Sequence, residues 1–358
     1  MDWNKAQKLQ QMIGRSPRVR LAYLPTPIEK SDRLAKRLGG IELYFKREDR
    51  TGIALGGSKG RQCEFRLGPG VKQDADTLIT GGSLSPNNLS LQTAAAARML
   101  GWEVYLVFRT SIDQKEIVYQ GNRLLEWLMG SHMELYDVEL SEQSIIMENL
   151  AEQLRSKGRT PYITGLADYY LGATAYANCL LEICKQLKEA NLQIDYLVLP
   201  SGGTTAAGLY VAASYLDVDF QILAVNSGYY EVPEIPHITI DQITYIANRT
   251  AEYLQLDVQL DRSRLACYTF EKKEVTEERV NVMREVASLE GIFLDPIYTG
   301  AAMEVLFKYT KEGKLKPGDK VLFMHTGGVA SLFSYCEKIL RGGTNLERSH
   351  HHHLNFNG

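Results

Sequence analysis

Short apolar runs alternate with longer helical patterns along most of this chain. Runs rich in β-branched and aromatic residues predict five strands, at residues 77–80, 103–108, 196–199, 221–225 and 320–324. Their nearly continuous apolar character is typical of strands that are buried on both faces of a parallel sheet. Between them, the pattern predicts helices over residues 93–100 and 173–189. This alternation of strands and helices predicts an α/β fold.

Glycine-rich segments follow three of the predicted strands directly, at residues 81–83, 201–205 and 325–328. In open α/β sheets, ligands bind outside the carboxyl ends of the strands, so these segments mark a candidate site. The second segment opens an alanine-rich stretch and consists of Ser201, Gly202, Gly203, Thr204 and Thr205. N–H groups at the start of a helix, together with hydroxyl groups and small glycines, suit a phosphate. A tight strand-to-helix turn without a ligand is the alternative.

The length and composition indicate an ordinary globular protein. A chain of 358 residues, 44% hydrophobic and 23% charged, is long enough for roughly two domains. We find no internal repeat and no low-complexity linker, so a second domain is expected to be inserted in the first. We predict a large domain formed by residues 1–53 and 163–345 and a small inserted domain at residues 54–162. Residues 346–358 contain four consecutive histidines and are expected to be a disordered or tag-like tail, with metal binding as the alternative.

The charge balance and the cysteines limit the partners and the compartment. A formal net charge of −3 gives no basic face for nucleic acid. The five cysteines form no CxxC pair, which is typical of reduced thiols in a cytoplasmic protein. No run approaches the roughly 18 apolar residues of a membrane span, and the first residues lack the apolar segment of a signal peptide. We therefore predict a cytoplasmic enzyme or binding protein that acts on a small molecule.

Lys59 is the main candidate for a reactive residue. It lies among Gly56, Gly57 and Gly60. Glycine is a poor helix former, so helix stability does not explain this segment. Glycines let other atoms approach the backbone, and a desolvated lysine can form a Schiff base with a carbonyl cofactor. The alternative is a surface lysine beside a flexible turn.

Other ligand-binding motifs do not fit this chain. Residues 52–60 lack the Gly-Lys-Ser/Thr ending of an ATPase phosphate loop, and no GxGxxG follows a predicted strand. The histidines are too dispersed for a catalytic metal centre, so we predict no metal. A lysine, a phosphate loop and a second glycine loop are instead the minimum set for pyridoxal phosphate.

The order of several motifs resembles one family. They are LPTPIE at residues 24–29, FKRED at 45–49, GGSKGR at 56–61, ADTLIT at 75–80, QTAA at 92–95, LDPIYTG at 294–300 and HTGG at 325–328. With the loop at 201–205, they resemble the D-cysteine desulfhydrase and 1-aminocyclopropane-1-carboxylate deaminase family of pyridoxal-phosphate enzymes. The family motif at the third position is GGNKxRK, which places Lys59 on the Schiff-base lysine. The resemblance implies a homodimer and the tryptophan-synthase-β fold (fold type II), with two open, twisted, mostly parallel sheets.

The resemblance also assigns roles to single residues. It implies that Ser201, Gly202, Gly203, Thr204 and Thr205 hold the phosphate and that Asn88 pairs with the 3′-oxygen of the cofactor. A hydroxyl group, from Thr299 or Thr326, would face the pyridine nitrogen. Tyr298 and Tyr268 would line the substrate pocket and act on the leaving group, although core packing is the alternative for each. The substrate loop would contain Ser85, Asn87 and Asn88.

This chain departs from the family more at the positions implied to bind the substrate than at those implied to bind the cofactor. The deaminase branch has DPVYEG, in which the glutamate reaches the pyridine nitrogen, whereas this chain has Thr299 there, as the desulfhydrase branch does. The family's Gln-Ser-Asn-His segment corresponds to residues 86–89, where Asn87 replaces the serine and Ser85 lies two residues early. Tyr268 lacks the flanking glycines of the family, and Ala301 replaces its lysine.

The resemblance therefore implies a lyase that performs β-elimination on a small amino acid such as D-cysteine, giving a 2-oxo acid and ammonia. β-Replacement, ring-opening deamination and racemisation are alternatives on the same scaffold. A non-catalytic protein that binds the cofactor or an amino acid is a further alternative, although binding alone does not require Lys59.

Overall fold

We describe a computed structural model that covers residues 2–85, 87–110, 115–165, 168–227, 239–271 and 274–342. The elements of the first half are α1 (Trp3–Ile13), β1 (Ile28–Lys30), α2 (Asp32–Arg37), β2 (Glu42–Lys46), α3 (Ser58–Arg66), α4 (Gly68–Lys72), β3 (Thr77–Ser83), α5 (Asn88–Met99), β4 (Glu103–Arg109), α6 (Asn122–Leu128), β5 (His132–Tyr136), α7 (Leu140–Ser156) and β6 (Pro161–Ile163). Those of the second half are α8 (Tyr169–Glu189), β7 (Tyr196–Pro200), α9 (Thr204–Leu216), β8 (Gln221–Asn226), α10 (Thr239–Tyr253), β9 (Leu265–Thr269), α11 (Glu277–Glu290), α12 (Thr299–Lys311), β10 (Lys320–Met324), α13 (Val329–Leu332) and α14 (Cys336–Gly342).

The strands form two sheets, and nearly all of their pairs are parallel. The larger sheet has the order β1-β2-β10-β7-β8-β9, in which only β1 and β2 pair antiparallel. The smaller sheet has the order β5-β4-β3-β6 and is parallel throughout. The predicted α/β class and the five predicted strands are thereby confirmed.

Both sheets are covered on both faces, which explains the continuous apolar runs. In β7, Leu197 and Leu199 pack into the core cluster under α8 and α9, whereas Val198 faces the opposite cluster with α11 and α12. In β4, Leu106 and Val107 likewise belong to separate clusters. Successive residues in the middle of these two strands are therefore apolar, because both faces of the sheet are covered there.

Helix α5 begins earlier than the predicted start at residue 93. Its first residue is Asn88, because the side chain of Asn87 accepts hydrogen bonds from the N–H groups of Leu89 and Ser90 at 3.0 and 3.2 Å. This cap satisfies two N–H groups that the first turn of a helix leaves without a partner.

The domain division at residues 54–162 stays a prediction. The smaller sheet uses strands from within residues 77–163, while α3, which begins at Ser58, packs against both α5 and α8. Helix α3 therefore lies between the two sheets. Among the described residues, no helix has the length and apolar character needed to cross a membrane.

Candidate active site

Two glycines set the position of Lys59. Gly56 and Gly57 have φ angles of +76° and +137°, which residues other than glycine rarely adopt. The Thr51 hydroxyl holds Gly57 from both sides, donating to its carbonyl at 2.8 Å and accepting from its N–H at 2.9 Å. A Cβ atom at Gly57 would clash with the side-chain amide of Gln92. The chain therefore turns sharply before α3, and Lys59 lies in the first turn of that helix.

The surroundings of Lys59 favour a neutral amine. The residue is only partly exposed, and its Nζ donates to Gln62 Oε1 at a long 3.4 Å. Burial, and secondarily the charge of Arg66, lower the pKa of Lys59 to about 7. An amine with this pKa is available as a nucleophile and as a base near neutral pH.

The loop at residues 201–205 has the donors of an anion site. The Ser201 hydroxyl accepts from the N–H groups of Gly203 and Ala206 at 3.3 and 3.1 Å and so shapes the loop. Within the described part of the chain, three further N–H groups at the start of α9 have no acceptor, those of Gly202, Thr204 and Thr205. Such a set can bind a phosphate.

Gln62 connects this loop to the helix of Lys59. Its Nε2 donates to Thr205 Oγ1 at 3.0 Å. Gln62 lies three residues after Lys59, so both side chains project from neighbouring positions on one face of α3. The structure thus brings the predicted lysine and the predicted phosphate loop together.

The third glycine segment, at residues 325–328, lies beside Lys59 as well. The Thr326 carbonyl accepts from the N–H of Ser58 at 2.9 Å, and Gly327 pairs with Gly57 as an isolated bridge. His325 is buried, which lowers its pKa, and its Nδ1 accepts from the N–H of Gly327 at 3.1 Å. A neutral histidine therefore shapes this turn.

The two candidate hydroxyl groups differ in their partners. Thr299 is fully buried, and its Oγ1 donates to Asp295 Oδ2 and accepts from the N–H of Asp295, both at 2.7 Å. The hydroxyl of Thr326 has no hydrogen-bond partner in the described ranges. Tyr298 precedes α12, is partly exposed, and donates its N–H to Asp295 Oδ1 at 2.7 Å. Of the two threonines, Thr326 is the one with a free hydroxyl for a ligand.

Of the predicted substrate loop, Asn88 is the residue that lies next to the turn before Lys59. The position of a Cβ atom on Gly57 is 3.3 Å from Nδ2 of Asn88, so this amide lies against the turn before Lys59. Asn87 caps α5 and donates its Nδ2 to the carbonyl of Ser85 at 3.0 Å. The hydroxyl of Ser85 lies 3.4 Å from that of Ser83. Pro86, which belongs to the same predicted segment, lies outside the described residues.

Tyr268 has the contacts of the packing alternative. Its ring lies 5.0 Å from the ring of Phe270 and 6.3 Å from that of Tyr309. Its hydroxyl accepts from Nζ of Lys308 at 3.1 Å. Because α12 supplies both Tyr309 and Lys308, the side chain of Tyr268 points to the helix that covers the sheet.

Sequence reasoning missed the polar residues that hold the site together. They are Thr51, which holds the turn at Gly57, Gln92, which donates to the Gly56 carbonyl at 2.7 Å, and Gln62. The i,i+3 spacing from Lys59 would have indicated Gln62 once α3 was recognised as a helix. Gln92 lies in the QTAA segment, but neither this segment nor the sequence around Thr51 indicated a contact with the glycine turn.

This set of groups fits pyridoxal phosphate. A lysine with a lowered pKa can react with the aldehyde, the N–H groups of the loop can bind the phosphate, and Asn88 and Thr326 offer polar atoms to the ring. Within the described residues, no group of three or more His, Cys, Asp or Glu could hold a metal ion.

Comparison with known proteins agrees with this chemistry. Residues 19–327 match the family described as pyridoxal-phosphate dependent enzyme. A D-cysteine desulfhydrase of Serratia proteamaculans is 32% identical over 336 residues, which are 92% of this chain and 99% of that protein. A 1-aminocyclopropane-1-carboxylate deaminase of Burkholderia vietnamiensis is 33% identical over 349 residues, with 92% and 99% covered.

Solved structures show the same fold. A structure described as an ACC deaminase homologue superimposes with a TM-score of 0.81 at 31% identity and covers 94% of this chain and 99% of its own. A threonine deaminase of Solanum lycopersicum has a TM-score of 0.63 at 16% identity, covering 96% and 95% of the two chains, and shares the fold alone. These likenesses are consistent with the activity of a β-eliminating lyase. The chain belongs to the family of pyridoxal-phosphate-dependent enzymes, with the fold of its type II members and pyridoxal phosphate as its cofactor.

Proposed function

We propose that this protein catalyses β-elimination from a small amino acid such as D-cysteine, releasing a 2-oxo acid and ammonia. The observation that carries the proposal is that Thr326, whose carbonyl accepts from the N–H of Ser58, brings a hydroxyl group beside the Lys59 turn. The carboxylate of Asp295 accepts the N–H groups of Ile297, Tyr298 and Thr299 at 2.7–2.9 Å and is thus occupied at the start of α12.

A hydroxyl partner favours elimination over ring opening. A carboxylate would keep the pyridine nitrogen protonated, whereas a hydroxyl group does not enforce that protonation. A weaker electron sink suits a reaction in which the leaving group itself takes up the electrons. The cyclopropane substrate has no such leaving group.

Each residue of the site receives a role under this proposal. The loop 201–205 would hold the phosphate, Asn88 would pair with the 3′-oxygen and Thr326 would face the ring nitrogen. When bound, pyridoxal phosphate supplies the electron sink that makes the α-proton acidic. The Lys59 amine would act as the general base for that proton, and Tyr298 would line the pocket on the side of the leaving group.

The activity can be tested with a panel of substrates. We expect purified protein loaded with pyridoxal phosphate to release 2-oxo acid, ammonia and sulfide from D-cysteine. We expect kcat/KM for D-cysteine to exceed the values for L-cysteine, D-serine and 1-aminocyclopropane-1-carboxylate by at least about tenfold, a difference of about 1.4 kcal/mol in transition-state binding. Formation of 2-oxobutanoate from the cyclopropane, without turnover of D-cysteine, would establish ring opening instead. Turnover of none of these compounds would refute the proposal.

We also propose that the protein is a homodimer that buries the exposed face of α6. Leu124, Trp127 and Leu128 lie at helical spacing on this face and are 39%, 55% and 64% exposed. The ring of Tyr119 lies 6.3 Å from that of Trp127 and extends the apolar area. Contiguous exposed apolar patches of this kind mark interfaces.

The dimer proposal predicts that Trp127→Glu separates the subunits. A charge in a buried apolar interface costs several kcal/mol, so the variant is expected to elute as a monomer at micromolar concentration. Light scattering after size-exclusion chromatography measures the mass. Trp3→Glu is the matched control, because Trp3 is 40% exposed on α1 and is packed under Lys188. A wild-type monomer, or a dimer that tolerates Trp127→Glu, would contradict this interface.

We propose a cytoplasmic location as well. All five cysteines are free thiols, and Cys63, Cys179 and Cys184 are buried among core residues. Unpaired cysteines of this number are typical of reducing compartments.

A further inference from the structure

Arg66 is a buried cation with an incomplete set of partners. It is the last residue of α3 and is 3% exposed. Its Nη1 donates to the carbonyl of Gly165 at 3.2 Å and lies 3.2 Å from Asp168 Oδ1. Neither Nε of Arg66 nor that Asp168 oxygen makes a hydrogen bond within the part of the chain that the structure describes. An arginine buried without full pairing is costly and calls for an explanation.

The unpaired Nε lies beside the phosphate loop. A Cβ atom placed on Gly172 would be 2.8 Å from Thr204 Cγ2, 3.0 Å from Arg66 Nε and 3.1 Å from Gln62 Oε1. The glycine therefore lets α8 pack where α3 meets the start of α9. Arg66 and Thr204 are brought to the same point from two different helices.

The loop itself contains no cation. Its members are serine, glycine and threonine, and they offer only N–H and hydroxyl groups. Gln62, which bonds to Thr205, stands where the motif GGNKxRK has a lysine, so that this position carries no charge here. Arg66 follows Gln62 by four residues and projects from the same face of α3.

We propose that Arg66 is a phosphate-binding residue of the cofactor site and supplies the positive charge that the loop 201–205 and Gln62 lack. The phosphate would then be a second anionic partner of this guanidinium, beside Asp168. Burial raises the pKa of Asp168 although the charge of Arg66 acts in the opposite direction, so pairing with Arg66 does not fully offset the cost of burying this carboxylate. The inference rests on the cofactor but not on the substrate or the reaction proposed above.

The test compares two probes that differ only in the phosphate. Cofactor-free wild type and variants are titrated with pyridoxal phosphate and with pyridoxal at pH 8.5, and binding is measured by absorbance. A change in the Lys59 amine affects both probes, so the ratio of the two dissociation constants isolates the phosphate contact. Arg66→Gln is expected to reduce the preference for pyridoxal phosphate by at least about tenfold, the effect of losing a charge-assisted hydrogen bond. Inorganic phosphate should compete with the cofactor correspondingly less well.

Two further variants distinguish this role from a structural one. Arg66→Lys keeps the charge and should restore part of the preference. Asp168→Asn removes the competing carboxylate and should leave the preference unchanged or raise it. The proposal would be overturned if Arg66→Gln weakened the binding of both probes equally. It would also be overturned if Asp168→Asn caused the same loss of preference for pyridoxal phosphate. Either result would mean that the Arg66–Asp168 pair stabilises the fold. Tight phosphate-dependent binding without turnover of D-cysteine would refute the proposed reaction and leave the role of Arg66 standing.

Discussion

Replacing Lys59 by alanine is expected to lower turnover of the substrate by at least about 10³-fold and to remove the visible absorbance of the bound cofactor. A positioned general base contributes about 10²–10⁴-fold, and under the proposed function Lys59 would also anchor the cofactor. The assay is 2-oxo acid release, and the spectrum of the purified variant is the second measurement. Lys316→Ala replaces an exposed lysine and serves as the control. A Lys59→Ala variant that kept its absorbance would place the cofactor on another lysine.

A Lys59→Ala variant that kept its absorbance would point to Lys46, which is fully buried. The surroundings of Lys46 argue against that role. Its Nζ donates to the carbonyl of Thr26 at 2.7 Å and to Oε1 of Gln186 at 2.8 Å, and it pairs with Glu182. These three acceptors account for the donors of its side chain and leave none for a ligand. Borohydride reduction followed by mass spectrometry of the peptides should therefore find the cofactor on Lys59.

The pKa of Lys59 gives this prediction a pH dependence. In cofactor-free protein, the neutral amine attacks the aldehyde, so the attachment rate should rise with pH and level off above an inflection near 7. An ordinary lysine would give an inflection near 10.5. Stopped-flow measurements between pH 5.5 and 9 separate the two. An inflection above pH 9 would show that burial and the charge of Arg66 do not act on this amine.

The sequence predicted those parts of the site that depend on local patterns. The strands follow from apolar runs, and the loops after β7 and β10 follow from glycines at the carboxyl ends of strands. The position of Lys59 after a sharp turn was predictable because glycines flank it, whereas its role stays a prediction. Each of these features is encoded within a few neighbouring residues.

Residues whose role depends on tertiary packing were not predictable. Tyr268 pairs with Val225 across β8 and β9, and this register turns its ring to the cluster under α12. Arg66 and Thr204 approach the same point of α8 only because Gly172 has no side chain there. Asn87 matched a substrate position by alignment, but the start of α5 uses its side chain as a cap. Periodicity along one chain contains no information on such contacts.

The largest expected effect on stability comes from Arg61, two residues after Lys59. Its guanidinium forms two hydrogen bonds with Glu48, at 2.7 and 2.8 Å, and two with Glu182, at 2.8 and 2.9 Å. Burial alone would raise the pKa of Glu48, but the charge and hydrogen bonds of Arg61 outweigh it and lower that pKa to about 2. The network links the segment after β2, α3 and α8, and it fixes the helix that carries Lys59.

Arg61→Met is therefore expected to lower the free energy of unfolding by about 3–5 kcal/mol, because it leaves a buried carboxylate without its main partner. At about 1.3 °C per kcal/mol for a chain of this length, Tm should fall by roughly 4–7 °C. Arg61→Lys should recover only part of this loss, because an ammonium group cannot bind two carboxylates through paired hydrogen bonds. Arg341→Met is the matched control, since Arg341 and Glu337 are about 80% exposed and such pairs contribute at most about 1 kcal/mol. If Arg61→Met and Arg341→Met melted alike, the buried network would not be what holds α3, and the position of Lys59 would depend on the glycine turn and Thr51 alone.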